Sequence, residues 1–162
     1  MGVITDEARS WATAPFPAFE MVISRTDIQR FARAIGETDP VYFDIVAARE
    51  AGYPDLLAPL YFPYIIRSHA SHLVSANQLE PDGSASVDVP PLPTDRAMAG
   101  ETVIDFGAAI HAGDVITMEK RITDLYEKEG RSGTLVFVTI EFLFTNNRGH
   151  QVFRESFTRI YR

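Results

Sequence analysis

The spacing of apolar residues changes along the chain. From Thr26 to Gly36, apolar Ile28, Phe31, Ala32 and Ile35 recur at i, i+3, i+4 and i+7, which predicts an amphipathic helix. Thr26 and Gln29 form a capping-box pattern at its start, and Gly36 stands where a left-handed residue closes a helix. A shorter helix is predicted over 44–52, with Asp44 as its cap and Gly52 as its stop. A third follows within 59–76, where Phe62, Ile65, Ile66, Ala70, Leu73 and Val74 form a stripe broad enough to predict burial. Pro63 fits this helix only in its first turn. Ahead of the helices, 19–24 reads as a strand. Residues 1–17, with Pro15 and Pro17 around Phe16, read as an extended N-terminal arm before a single domain at 18–162.

After a turn-rich stretch at 76–97 the period becomes two. Ile104, Phe106, Ala108 and Ile110 alternate, and "HAGD" then turns the chain into 115–130. "RSG" leads to 134–145, where Val136, Val138, Ile140, Phe142 and Phe144 share one face and Leu135, Phe137 and Leu143 the other. Apolar residues on both faces predict a central strand. "NNRG" is a hairpin turn before a last strand at 150–162. One strand, two short helices, a long apolar helix and an antiparallel meander predict an α+β hot-dog fold, a curved antiparallel sheet wrapped around a long buried helix.

Composition narrows the partners. The 162 residues carry a formal charge of -7 with no run of lysines or arginines, so nucleic acid and anionic membrane are excluded as expected partners. Without cysteine there is no disulfide framework, thiolate metal site or cysteine nucleophile. No apolar run approaches ~18 residues and the first residues lack a signal-peptide core, which predicts a cytoplasmic protein.

The stretch "GETDPVYFD", 36–44, concentrates the candidate chemistry. Adding water across a double bond beside a carbonyl needs a proton acceptor, a proton donor and a group that holds the carbonyl oxygen as charge builds there. The stretch resembles the loop G-D-x-N-P-[LIV]-H-x-D of the MaoC-like (R)-specific enoyl-thioester hydratases. Gly36, Asp39 (for asparagine), Pro40, Val41 and Asp44 agree in kind. "FARAIG", "AAREAGYPDLLAP", "YEKEGRSG", "FVTIEFLFTN" and "RIYR" extend the likeness over the chain from about Phe19. It is similar to the N-terminal-type, fatty-acid-synthase-like dehydratase domain, a group that includes acyl-binding subunits of (3R)-hydroxyacyl-ACP dehydratases. The resemblance implies an acyl-CoA or acyl-carrier-protein thioester as ligand, no cofactor and no metal. It also implies a homodimer, or a heterodimer with a MaoC-type subunit.

Two substitutions alter the loop. Glu37 stands at the catalytic aspartate and Tyr42 at the catalytic histidine. A phenol with a pKa near ~10 cannot replace imidazole as a base at neutral pH. The extra methylene of Glu37 displaces its carboxylate by about an ångström, a costly error for a catalytic group. In active relatives a glycine amide at the head of the buried helix holds the thioester oxygen; here the stretch is Ala58, Pro59, Leu60 and Tyr61, with Leu60 at about that position. The expectation is a loop silent in this subunit, with Asp39 and residues 59–62 contacting substrate and Arg131 offering a phosphate contact. The rivals are a self-sufficient hydratase using Glu37 and Tyr42, a hot-dog thioesterase, and a non-enzymatic acyl-binding module. Of the histidines, His69 reads as a core residue, His72 as lying toward the helix edge, and His111 and His150 as solvated beside turns.

Overall fold

The computed structural model describes residues 2–72, 90–94, 96–131 and 133–162. Helices α1 (Asp6–Thr13), α2 (Arg25–Ala34), α3 (Ile45–Glu50) and α4 (Pro63–His72) accompany strands β1 (Phe19–Val22), β2 (Ala97–Phe106), β3 (Val115–Gly130), β4 (Gly133–Asn146) and β5 (Gln151–Tyr161). The strands form one antiparallel sheet in the order β1-β3-β4-β5-β2, with β4 central as its two apolar faces require. Register shifts interrupt the pairing at Ala99/Thr102, Ile122/Asp124 and Phe144/Thr145. Each unpaired residue adds local bend and twist, which lets the sheet curve around α4. This is the hot-dog arrangement expected from the element order. Among the described residues no helix is long and apolar enough to cross a membrane.

The helix seated in the sheet buries one stripe rather than its whole circumference. Phe62, Pro63 and Ile66 are fully buried, Tyr64, Ile65, Arg67 and Ala70 half-buried, and Ser68 and His69 exposed. His69 is therefore not a core histidine; it falls on the side of α4 that turns away from the sheet. Phe62 and Ile66 join Ile116, Met118, Val136, Val138, Ile140, Phe144 and Phe153 in the core. The expected continuation through Leu73 and Val74, and most of the 76–97 stretch, lie outside the described residues.

Three further details depart from the sequence reading. Residues 6–13 form a helix instead of an extended arm. Thr5 caps it by accepting from the Ala8 amide, and α1 lies against β3, burying Ile4 and Ala8. Lys120 of β3 stands over the rings of Trp11 and Phe16, at 5.8 and 4.5 Å from their centroids. The α2 cap is Ser24, whose hydroxyl accepts from the Asp27 amide at 3.1 Å; Thr26 lies inside the helix and Gln29 serves another purpose. Finally, β2 ends at Phe106, before Ala108 and Ile110. Gly107 lies so close to β5 that a Cβ there would come within 2.1 Å of the Gln151 carbonyl oxygen.

Candidate functional site

The 36–44 loop is rigidly built. Gly36 takes φ +80°, so its amide and that of Glu37 turn back to the carbonyls of Arg33 (3.2 Å) and Ala32 (2.9 Å) and close α2. Pro40–Tyr42 then form a single 3-10 turn, capped by Asp39 Oδ1, which accepts from the Val41 amide at 3.1 Å. Asp44 Oδ1 accepts from the Val46 amide at 2.7 Å and starts α3. Gln29 Nε2 reaches from α2 to the Phe43 carbonyl at 3.0 Å, and Arg33 covers the Phe43 ring at 5.7 Å. Two of the three carboxylates thus serve as caps. Glu37 is exposed, and its carboxylate makes no hydrogen bond or ion pair among the described residues.

A second layer brings the head of α4 to this loop. Leu57 N donates to the Val41 carbonyl at 3.1 Å, Ala58 N to Ile110 at 2.9 Å, and Ala112 N to Leu56 at 3.0 Å; Leu57 also bridges to His111. Arg25 grips Asp55 through two bonds of 2.8 and 2.7 Å, tying the start of α2 to the same segment. That pairing, above all its hydrogen bond, holds the Asp55 carboxyl down at about 2. Beyond Leu57 the chain turns at Pro59, whose carbonyl accepts from Phe62 N at 2.9 Å. The amides of Leu60 and Tyr61 make no hydrogen bond among the described residues, and both side chains are exposed, at 67% and 49%. These free N–H groups stand at the positive end of α4, where an anionic oxygen is favoured.

Tyr42 is half-buried between these layers. Burial pushes its phenol above the ordinary value, and the charges of Glu37, Asp39 and Tyr53 add to the shift. It therefore stays protonated at neutral pH and can donate a hydrogen bond but not accept a proton. Together the loop and the helix head offer two amide donors, one hydroxyl donor and one free carboxylate.

Arg131 does not join this group. It lies at the β3–β4 turn, at the opposite end of the 16-residue β3 from the His111–Ala112 segment that meets the Leu56–Ala58 stretch. His111 was misread as solvated: it is buried, its ring lies 5.7 Å from that of Tyr53, and its Nδ1 is 3.5 Å from Asp114 Oδ2. Its backbone bridge to Leu57 places it one layer behind Val41. The only sequence signal was an aspartate three residues after a histidine in a turn. His150 is exposed as expected.

A family model described as the FAS1-like dehydratase domain region matches residues 10–155. The chain belongs to this family. Among curated relatives of this FAS1-like dehydratase chain, a UPF0336 protein of Thermobifida fusca is 32% identical over 132 residues, 80% of this chain and 76% of the relative. A UPF0336 protein of Leifsonia xyli subsp. xyli is 29% identical over 138 residues, 85% and 82% of the two chains. The fold matches that of the HadBC (3R-hydroxyacyl-ACP dehydratase) complex of Mycobacterium tuberculosis, with TM-score 0.64, 23% identity and coverage of 90% and 92%. It also matches the ChsH1–ChsH2 complex of the same organism, with TM-score 0.70, 16% identity and coverage of 96% and 88%. The R-hydratase PhaJ1 of Pseudomonas aeruginosa superposes with TM-score 0.62, 18% identity and coverage of 88% and 77%. The chain thus carries a domain of the FAS1-like dehydratase family with the hot-dog fold of these solved dehydratase and hydratase structures.

Proposed function

We propose that this protein is the acyl-binding subunit of an (R)-specific enoyl-thioester hydratase or 3-hydroxyacyl-thioester dehydratase, working with a MaoC-type subunit that carries an intact aspartate/histidine pair. The observation that carries the reading is the state of Tyr42. The family's imidazole position holds a phenol whose pKa the fold raises further, so no base stands there at neutral pH. The backbone devices of the site are nonetheless present: the left-handed Gly36, the Asp39 and Asp44 caps, and two unbonded amides at the head of α4. A site with its donors and shape but without its base suits binding more than turnover. The HadBC and ChsH1–ChsH2 structures, each solved as a complex, support a partnered arrangement.

The test is reconstitution. The purified chain alone should give no hydration of a short trans-2-enoyl thioester, a small MaoC-type partner should co-purify with it, and the mixture should exceed either component. Robust turnover by the isolated chain, lost on Glu37→Gln, would replace this reading with the self-sufficient hydratase.

A further inference from the structure

The head and first turns of α4 carry an aromatic construction that the 36–44 loop does not use. Tyr61, Tyr64 and Arg67 follow at i, i+3 and i+6, on one side of the helix. The ring of Tyr61 stacks on that of Tyr64 with centroids 5.9 Å apart, and the guanidinium of Arg67 lies 4.7 Å from the Tyr64 centroid. Phe106 of β2 meets Tyr61 edge-on at 5.6 Å, Phe153 of β5 meets Phe106 at 5.6 Å, and Tyr64 meets Phe153 at 6.0 Å. The four rings form a closed circuit. Tyr61 and Phe106 leave about half of their surface open, directly beside the unbonded amides of Leu60 and Tyr61.

This apolar wall ends abruptly. Lys120, Phe142, Glu155 and Ile104 stand opposite one another across β3, β4, β5 and β2. Glu155, at 3% exposure, accepts from Tyr64 Oη at 2.9 Å and from Arg67 Nη1 at 2.6 Å. Arg67 also lies over the Phe142 ring at 5.0 Å. A guanidinium bonded to a buried carboxylate and stacked on two rings cannot swing aside, because separating such a pair leaves a charge buried and uncompensated.

We infer that the Tyr61–Tyr64–Phe106–Phe153 wall receives the acyl tail of the thioester, and that the Arg67–Glu155 pair is its fixed end stop, so the protein selects short acyl chains. This rests on the acyl-binding reading above. A tail whose carbonyl oxygen is held by the Leu60 and Tyr61 amides runs along the α4 row past Tyr64 and meets Arg67 after six residues, roughly 9 Å along the helix axis. Up to that point the methylenes leave water for the open surfaces of Tyr61 and Phe106 and the rim of Tyr64, with the fully buried Phe153 backing them. Beyond it, further methylenes can advance only by stripping water from a half-exposed guanidinium, which cancels the gain.

The experiment measures the affinity of the full chain for saturated acyl-pantetheine thioesters from butyryl to dodecanoyl. Pantetheine is the arm shared by coenzyme A and carrier proteins. Affinity should climb about fourfold per methylene through hexanoyl, the ordinary worth of a buried methylene, and then level off by octanoyl. In Arg67→Ala/Glu155→Ala the climb should resume, raising the dodecanoyl-to-hexanoyl affinity ratio at least about tenfold. Should that variant fail to fold, Arg67→Met/Glu155→Leu removes the same charges while keeping volume. An unbroken climb through dodecanoyl in the natural protein overturns the end stop. So does an unchanged ratio in a folded variant. Absence of binding at every chain length overturns the acyl-binding reading itself; if Tyr61→Ala/Phe106→Ala then converts a dimer to a monomer, the aromatic face belongs to a neighbouring subunit.

Discussion

Single side chains divide the 36–44 loop between architecture and chemistry. Asp39 and Asp44 are engaged by the backbone, so their removal should act on stability, each costing about 1 kcal/mol in a denaturant melt, as lost caps do. Glu37 holds nothing in place. In a reconstituted complex Glu37→Gln should leave activity within a few-fold of normal, whereas removing the partner's histidine should cost ~10²–10⁴-fold. Asp55 makes an acid-range prediction. Its folded pKa, about 2, lies below the ordinary carboxyl value of 3.8, so its stabilising effect is present above pH 4 and is lost as pH falls from about 4 toward 2. Arg25→Ala should remove that part of the acid dependence, read as a smaller loss of melting temperature between pH 4 and pH 2 than in the natural protein. Tyr64 gives the alkaline counterpart. Burial, then its bond to Glu155, raises the phenol to about 12. Its contribution is complete below pH 10 and fades as pH rises toward 12.

At the scale of elements, two glycines answer to different physics. Gly36 has φ +80° and open space around its missing Cβ, so Gly36→Ala should cost only the left-handed penalty, about 1–2 kcal/mol. Gly107 has no such φ but no room either, because a Cβ would sit 2.1 Å from a backbone oxygen of β5. Gly107→Ala must push β2 away from β5 and should destabilise more than Gly36→Ala in the same urea melt. The reverse order would mean that β2 is held less tightly than the structure shows. Phe62, fully buried where α4 enters the sheet, packs edge-on to Phe31 of α2 at 5.8 Å and so joins the helix to the loop's support. Phe62→Ala should cost about 3–5 kcal/mol.

For the whole molecule the open question is what covers β2. Among the described residues it is an edge strand paired to β5 alone, and it presents Met98 and Val103 at about half exposure. An exposed ten-residue edge strand with half-open apolar side chains invites pairing with another strand. The protein should therefore be a dimer or a higher even oligomer, with itself or with a MaoC-type subunit. Val103→Lys should weaken that association while leaving the β2–β5 ladder intact, as read by light scattering. A strict monomer with and without the partner would count against both the pairing and the partnered function.

Periodicity alone determined the helix faces, the meander, the central place of β4 and the fold class, because each of these is a local repeat of 3.6 or two residues with one side to bury. The loop resemblance was legible for the same reason: Gly36, Pro40 and Asp44 are demanded by backbone geometry within nine residues. What the sequence misplaced depended on contacts between distant segments. Residues 1–17 looked structureless because α1 is stabilised by resting on β3, not by its own pattern. His111 looked solvated because its burial comes from Tyr53 and the Leu57 segment, more than fifty residues earlier in the chain. Arg131 looked available because the sequence placed it at the far end of a 16-residue strand without saying which end of the sheet the 36–44 loop would meet. The circuit of Tyr61, Tyr64, Phe106 and Phe153, and the pairing of Arg67 with Glu155, could not be read from the sequence at all. Residues some ninety positions apart meet only when the curved sheet closes on α4, and that closure is decided by packing, which no local pattern records.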